Sequence, residues 1–131
     1  MGRGQGVTPA ELVRSYLDAF STADAEDVAR HVTDDFVNEH TAALGSGCEG
    51  KIEYLRRLPN FFAAMKHLRY EVEDVLGEGD HAAAAYTMHA ITNDHAVAVR
   101  GVMWFVIRDG LIAKRTDYWD SQVFQRQAGV L

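Results

Sequence analysis

The apolar residues change period at Leu68, and no other feature of the chain restricts its fold as strongly. Leu68, Tyr70 and Val72 alternate with Arg69, Glu71 and Glu73, the two-residue repeat of a strand with one buried face. Turn-forming clusters then recur at short intervals: Gly77-Glu78-Gly79-Asp80, Thr92-Asn93-Asp94-His95 and Arg108-Asp109-Gly110. They predict four strands, Leu68–Val75, Ala82–Ile91, Ala96–Ile107 and Leu111–Asp120, each the antiparallel neighbour of the next.

Before Leu68 the period is helical. Thr8-Pro9-Ala10-Glu11 combines a hydroxyl cap, a proline at the first helical position and a glutamate that closes a capping box. Behind it Leu12, Val13, Tyr16, Leu17 and Phe20 share one face. A second helix is expected from Asp24 to Val32, its acidic first turn suiting the positive end of the helix dipole. Phe36 to His40 reads as a short strand and Leu44 to Gly50 as a glycine-rich loop. Lys51 to Leu58 reads as a third helix that buries Ile52, Leu55 and Leu58. Pro59 is expected to interrupt it, with one more turn over Phe61 to Met65, and Ser121 to Gln127 forms a closing helical turn. Helices followed by a hairpin-linked meander predict an α+β domain with an antiparallel sheet. Residues 1–7 are expected as a loose tail and residues 8–131 as one domain.

Composition narrows the function by exclusion. A net charge of −6 argues against nucleic acid as a partner, because phosphate binding needs a basic surface. Arg56-Arg57 and Lys114-Arg115 read as solvated faces. The single cysteine, Cys48, excludes an internal disulfide and a cysteine-based zinc site, and fits a reducing compartment. With no signal-peptide core and no membrane-length apolar run, a cytoplasmic protein without a membrane partner is expected. The chain has no phosphate loop, dinucleotide fingerprint or nucleophile elbow, so no cofactor is expected. No metal is expected either, although a His/carboxylate site assembled in three dimensions stays open.

What remains is a set of polar residues on otherwise apolar faces. Asn38 and His40 share one face of the first strand, Asp117 lies inside the last strand, and His89 interrupts the apolar run of Ala82 to Ile91. Tyr16 sits on the apolar stripe of the first helix. Each has a duller explanation: a core tyrosine, a solvent-facing histidine, an aspartate paired with Arg115 or Arg100. Together they suggest a polar-lined cavity, since buried polar groups need partners. Both faces of Ala96 to Ile107 are apolar, with Val102, Trp104 and Val106 opposite Met103 and Phe105. A homodimer through the outer face of the sheet is therefore expected.

Three segments carry a family resemblance: V-R-S-Y-L-D-A-F-S-T-A-D, T-D-D-F-V-N-E-H and D-G-L-I-A-K-R-T-D-Y-W-D, the last followed by F-x-x-Q-x-G. From about Thr8 to Gly129 the chain resembles the SnoaL-like branch of the nuclear transport factor 2-like superfamily. The resemblance implies a cone-shaped fold, with a curved antiparallel sheet wrapped around N-terminal helices and an open cavity. Members include ketosteroid isomerases, limonene epoxide hydrolases, scytalone dehydratases, polyketide cyclases and proteins of no known activity, so the fold does not choose a reaction.

Against the isomerases, Tyr16 takes the position of the tyrosine that donates to the substrate oxygen and His40 that of the catalytic base. Met103 replaces their second, protonated aspartate. Against the epoxide hydrolases, Asn38, His40 and Asp117 match groups that hold a water. The arginine and aspartate two residues apart on a middle strand are missing from Tyr86-Thr87-Met88-His89. Against the SnoaL cyclases, Asp117 matches the acid/base aspartate.

The expected function is cofactor-free acid/base chemistry on a small hydrophobic oxygenated molecule such as a polyketide or terpenoid, of cyclase, isomerase or dehydratase type. Asp117 and His40 would move protons, and Tyr16, Asn38, His89, Met103 and Trp119 would line the substrate site. The rivals are ligand binding without chemistry and epoxide-hydrolase-like water addition. Burial is expected to raise the aspartate, and a close Asp117–His40 pair is expected to stand as a carboxylate beside an imidazolium.

Overall fold

The computed structural model describes residues 7–130, so residues 1–6 of the tail expected over 1–7 lie outside them. The chain opens with α1 (Pro9–Ala19), a single 3-10 turn (Phe20–Thr22) and α2 (Ala25–Ala29). Next come β1 (Val32–His40), a two-residue β2 (Cys48–Glu49) and α3 (Lys51–Ala64). The meander is β3 (Lys66–Glu78), β4 (His81–Thr92), β5 (His95–Arg108) and β6 (Leu111–Trp119), and α4 (Ser121–Gln127) ends the fold. The capping box of α1 forms as expected, Thr8 Oγ1 accepting from the Glu11 amide and Glu11 accepting from the Thr8 amide.

All six strands join one curved, open sheet in the order β2-β1-β6-β5-β4-β3. The four meander strands pair antiparallel in sequence, as their alternation predicts. One pairing outside the meander is parallel. β1 lies along β6 with Asn38 beside Arg115 and His40 beside Asp117. That register brings the first strand's polar residues level with the last strand's.

Helix α3 departs from expectation twice. It runs straight through Pro59, because burying Tyr54 and Leu58 and packing Leu55, Phe61 and Phe62 on the core outweighs a proline penalty of about 3 kcal/mol at roughly 1.5–3 kcal/mol per large side chain. Its buried face is also rotated: Ile52 is 86% exposed, while Tyr54 is 3% exposed. Helix α2 is shorter than expected and β1 starts earlier, at Val32.

The core lies between the concave face of the sheet and α1 and α3, built on Val13, Tyr16, Leu17, Phe20, Phe36, Met103, Phe105 and Ile112. Alternation along β5 divides as expected, with Met103 and Phe105 fully buried and Val102 and Trp104 on the outer face. No helix among the described residues is long and apolar enough to cross a membrane.

Candidate active site

A cavity of about 430 Å³ opens between the concave sheet face and α3, within the ordinary range for small-molecule sites. Phe20, Phe61, Met65, Met88, Val99 and Phe124 make much of its wall. The polar groups converge from β1 and β6.

Residues 115, 117 and 119 of β6 point inward together, because side chains alternate along a strand. Arg115 and Asp117 are 4% and 3% exposed. Arg115 Nη2 donates to Asp117 Oδ2 at 2.9 Å, and Tyr86 Oη donates to Asp117 Oδ1 at 2.6 Å. Tyr86 reaches Asp117 by crossing β5 at Gly101, where any Cβ would collide with the Tyr86 hydroxyl. Arg115 Nη1 donates to Tyr16 Oη at 2.9 Å, and the Tyr16 and Tyr54 hydroxyls lie 2.5 Å apart. The guanidinium also stands about 5.9 Å from the Tyr16 ring centre and 5.8 Å from that of Phe20, within cation–π range. A lone buried charge would be prohibitively costly. Here the carboxylate, the Tyr16 hydroxyl and the ring faces compensate it, with Arg115 Nε left unpartnered among the described residues.

His40 sits beside this pair with Nδ1 3.8 Å from Asp117 Oδ2, too far for a hydrogen bond. Nδ1 instead accepts from the Trp119 indole N–H at 3.0 Å. A ring nitrogen that accepts carries no proton, so the neutral ring holds its proton on Nε2. Burial, then repulsion from the Arg115 cation, lowers the His40 pKa from about 6.5 to about 4, with Asp117 opposing. The expected imidazolium is therefore absent at neutral pH. Arg115 has already taken the role of counter-ion to Asp117.

The structure brings together Asp117, His40, Asn38 and Trp119, all of which line the cavity. Asn38 Oδ1 is buried without a partner among the described residues. Tyr16 is fully buried behind the wall and reaches the site only through Arg115 and Tyr54. Met103 is fully buried as the β5 neighbour of Asp117 and does not reach the cavity. His89 is not brought to the site. It points out of the opposite sheet face, where Nε2 meets Glu71 Oε1 at 2.8 Å, because its position in β4 has the opposite parity to the inward Tyr86 and Met88. Among the described residues no three His, Cys, Asp or Glu side chains gather as a metal site.

A family model described as a SnoaL-like domain matches residues 13–115. The chain belongs to the SnoaL-like family. No curated protein sequence matches it, but solved structures do. A hypothetical protein with a ketosteroid isomerase-like fold from Catenulispora acidiphila, in complex with trimethylamine, superposes with a TM-score of 0.85 at 16% identity, covering 95% of this chain and 96% of that one. A protein from Pseudomonas putida assigned as a polyketide cyclase gives 0.78 at 23%, covering 93% and 98%. An LEH-like epoxide hydrolase from M. tuberculosis gives 0.78 at 20%, covering 90% and 87%. At these identities the likeness shows the fold.

Within this SnoaL-like domain the sequence leaves Tyr54 and Tyr86 without a role, and offers Arg115 only as one possible partner of Asp117, a pairing that the structure forms. Arg115 was assigned to a solvated face with Lys114, yet only Lys114 is substantially exposed. Its separation of two residues from Asp117 was the available signal, since that spacing puts both on one strand face. Arg115-Thr116-Asp117 therefore sets an arginine and an aspartate together on the inward face of β6.

Proposed function

We propose that the cavity carries out cofactor-free acid/base chemistry on a small hydrophobic oxygenated molecule, of cyclase, isomerase or dehydratase type. The observation that supports this reading best is the anchoring of Asp117. Its two oxygens are fixed by Arg115 and Tyr86 beside a neutral histidine, at a wall that is otherwise largely apolar. Pre-aligned groups in a largely apolar site act strongly on charge that develops during reaction. Asp117 exchanges the proton, and His40 contributes as a neutral donor from Nε2. The cyclase and isomerase-like structural neighbours favour the same class of reaction.

The test is exchange of the carbon-bound proton next to the carbonyl, followed by mass spectrometry in heavy water across a panel of polyketide-like and terpenoid ketones. Asp117→Asn should slow the exchange at least ~100-fold, the low end for positioned acid/base catalysis. Ligand uptake without exchange would make the domain a binding protein. A second reading, water addition to an epoxide, draws on the unpartnered Asn38 Oδ1 and the hydrolase neighbour. It predicts heavy oxygen from labelled water in the product.

The partner proposed for the outer face is a second copy of the chain. Val102, Trp104 and Tyr118 are 44%, 42% and 51% exposed on adjoining strands, an apolar patch of the kind that usually meets a partner. Light scattering that reports a monomer at micromolar concentration would remove this element.

A further inference from the structure

We propose that the substrate of this cavity is a hydrophobic carboxylic acid, its carboxylate held at the rim by Arg57 while its body fills the apolar interior. The sequence sets Arg56 and Arg57 together as a solvated face, and the fold separates them. The Arg56 side chain is 69% exposed and takes no part in the cavity, whereas that of Arg57 is 42% exposed and lines it, beside Leu58 and Phe61 of the same helix. The other charged groups of the lining are Arg115 and Asp117, with His40 neutral. Arg115 and Asp117 neutralise each other at 2.9 Å, so the Arg57 guanidinium is the charge left over. Its own counter-ion is shared. Glu53 accepts from Arg56 Nε at 2.8 Å and Nη2 at 2.6 Å, and from Arg57 Nε at 2.7 Å. Two cations on one carboxylate leave a positive charge at the rim.

The remaining bonds of Arg57 suit an anion. Nη1 donates to the Gly47 carbonyl at 2.7 Å and to Ser46 Oγ at 3.3 Å, which ties the head group to the loop between β1 and β2. Nη2 has no acceptor among the described residues. Fixed at Nε and Nη1, the planar fork needs little further ordering to meet a ligand. Ser46 also lines the cavity, and because its oxygen accepts from Arg57, its own proton remains to be donated. Two donors beside an unbalanced positive charge fit a carboxylate, which only accepts. The guanidinium is partly exposed, so a carboxylate bound there keeps some of its water and avoids the full desolvation cost of burial. The substrate class narrows accordingly from a neutral ketone to a keto acid, with the carboxylate at the rim and the carbonyl toward β6. This inference rests on the cavity being the substrate site proposed above, but it does not require Asp117 to move a proton.

The probes are 6-acetyl-2-naphthoic acid and its methyl ester, with affinities measured by equilibrium dialysis on wild type, Arg57→Gln, Arg57→Lys and Asp117→Asn. Wild type should bind the acid about 10-fold more tightly than the ester, the low end for a hydrogen bond to a charged group, and high salt should shrink that preference. Arg57→Gln should erase it, and Arg57→Lys should keep part of it, since the charge stays while the fork is lost. An arginine that only clamps the loop would, on replacement, weaken acid and ester alike and leave their ratio unchanged. Asp117→Asn should retain the preference even where it abolishes proton exchange. Proton exchange on neutral ketones with no preference for the acid would leave the catalytic reading standing and remove this one. An ester bound as tightly as the acid, a preference that survives Arg57→Gln, or no uptake of either probe would overturn the proposal.

Discussion

Two arginine–carboxylate pairs on the same sheet look alike on paper and differ in almost every consequence. Arg115 meets Asp117 on the concave face with both side chains 4% exposed, whereas Arg100 meets Glu73 on the convex face at 78% and 29%. Arg100 can trade Glu73 for water, so Glu73, lowered below the ordinary carboxylate range by its bonds to Arg100 and Thr87, contributes little to folding. Arg115 is withdrawn from bulk solvent. Its partners (Asp117, Tyr16 and two aromatic faces) are what make the charge tolerable there. The concave pair organises a site, and the convex pair decorates a surface.

The sharpest way to break this contrast is truncation. Arg115→Ala strands a buried carboxylate and should lower stability by roughly 3–5 kcal/mol in denaturant unfolding. Joint replacement Arg115→Met with Asp117→Leu should recover much of that loss, because no charge is left unpaired. Equal losses in the single and double variants would mean that packing, and not charge compensation, holds the site.

Two histidines sharpen the comparison through pH. His40 is depressed to about 4 by burial and Arg115, so the folded state binds its proton more weakly than the unfolded chain does. Its contribution is fully present above about pH 6.5 and is lost as pH falls toward 4, a change of about 3 kcal/mol at 1.36 kcal/mol per pH unit. His31, lowered by burial, adds in the same direction. His40→Gln, which can still accept from Trp119, should flatten much of this acid-side slope in melting experiments between pH 4 and about 6.5. At the small end, Arg100→Ala should leave the denaturation midpoint nearly unchanged, with a smaller effect still in high salt.

The meander and its antiparallel order were legible because Leu68 to Val72 alternate cleanly and the turn clusters are strong. The site was legible in part. Asn38, His40 and Asp117 announced themselves as polar residues in apolar strands, and the parallel register of β1 on β6 then set them side by side. That register was not readable, since the two strands are far apart in sequence. His89 was misplaced for a different reason. Ala82-Ala83-Ala84-Ala85 shows no alternation, so the inward face of β4 is undefined until Tyr86. Arg115 was legible only as one possible partner of Asp117, because a basic residue beside Lys114 looks solvated and Tyr16 and Phe20 reach it from elements distant in sequence.

The central claim is that Arg115, and not His40, balances Asp117, leaving a neutral histidine in the cavity. Nitrogen NMR of the His40 imidazole through an acid titration tests it most directly. The account predicts a neutral ring protonated on Nε2 at pH 7, with Nδ1 accepting from Trp119 and a midpoint near 4. An imidazolium at pH 7, with a midpoint above about 6.5, would contradict it and restore the carboxylate–imidazolium pair as the heart of the site.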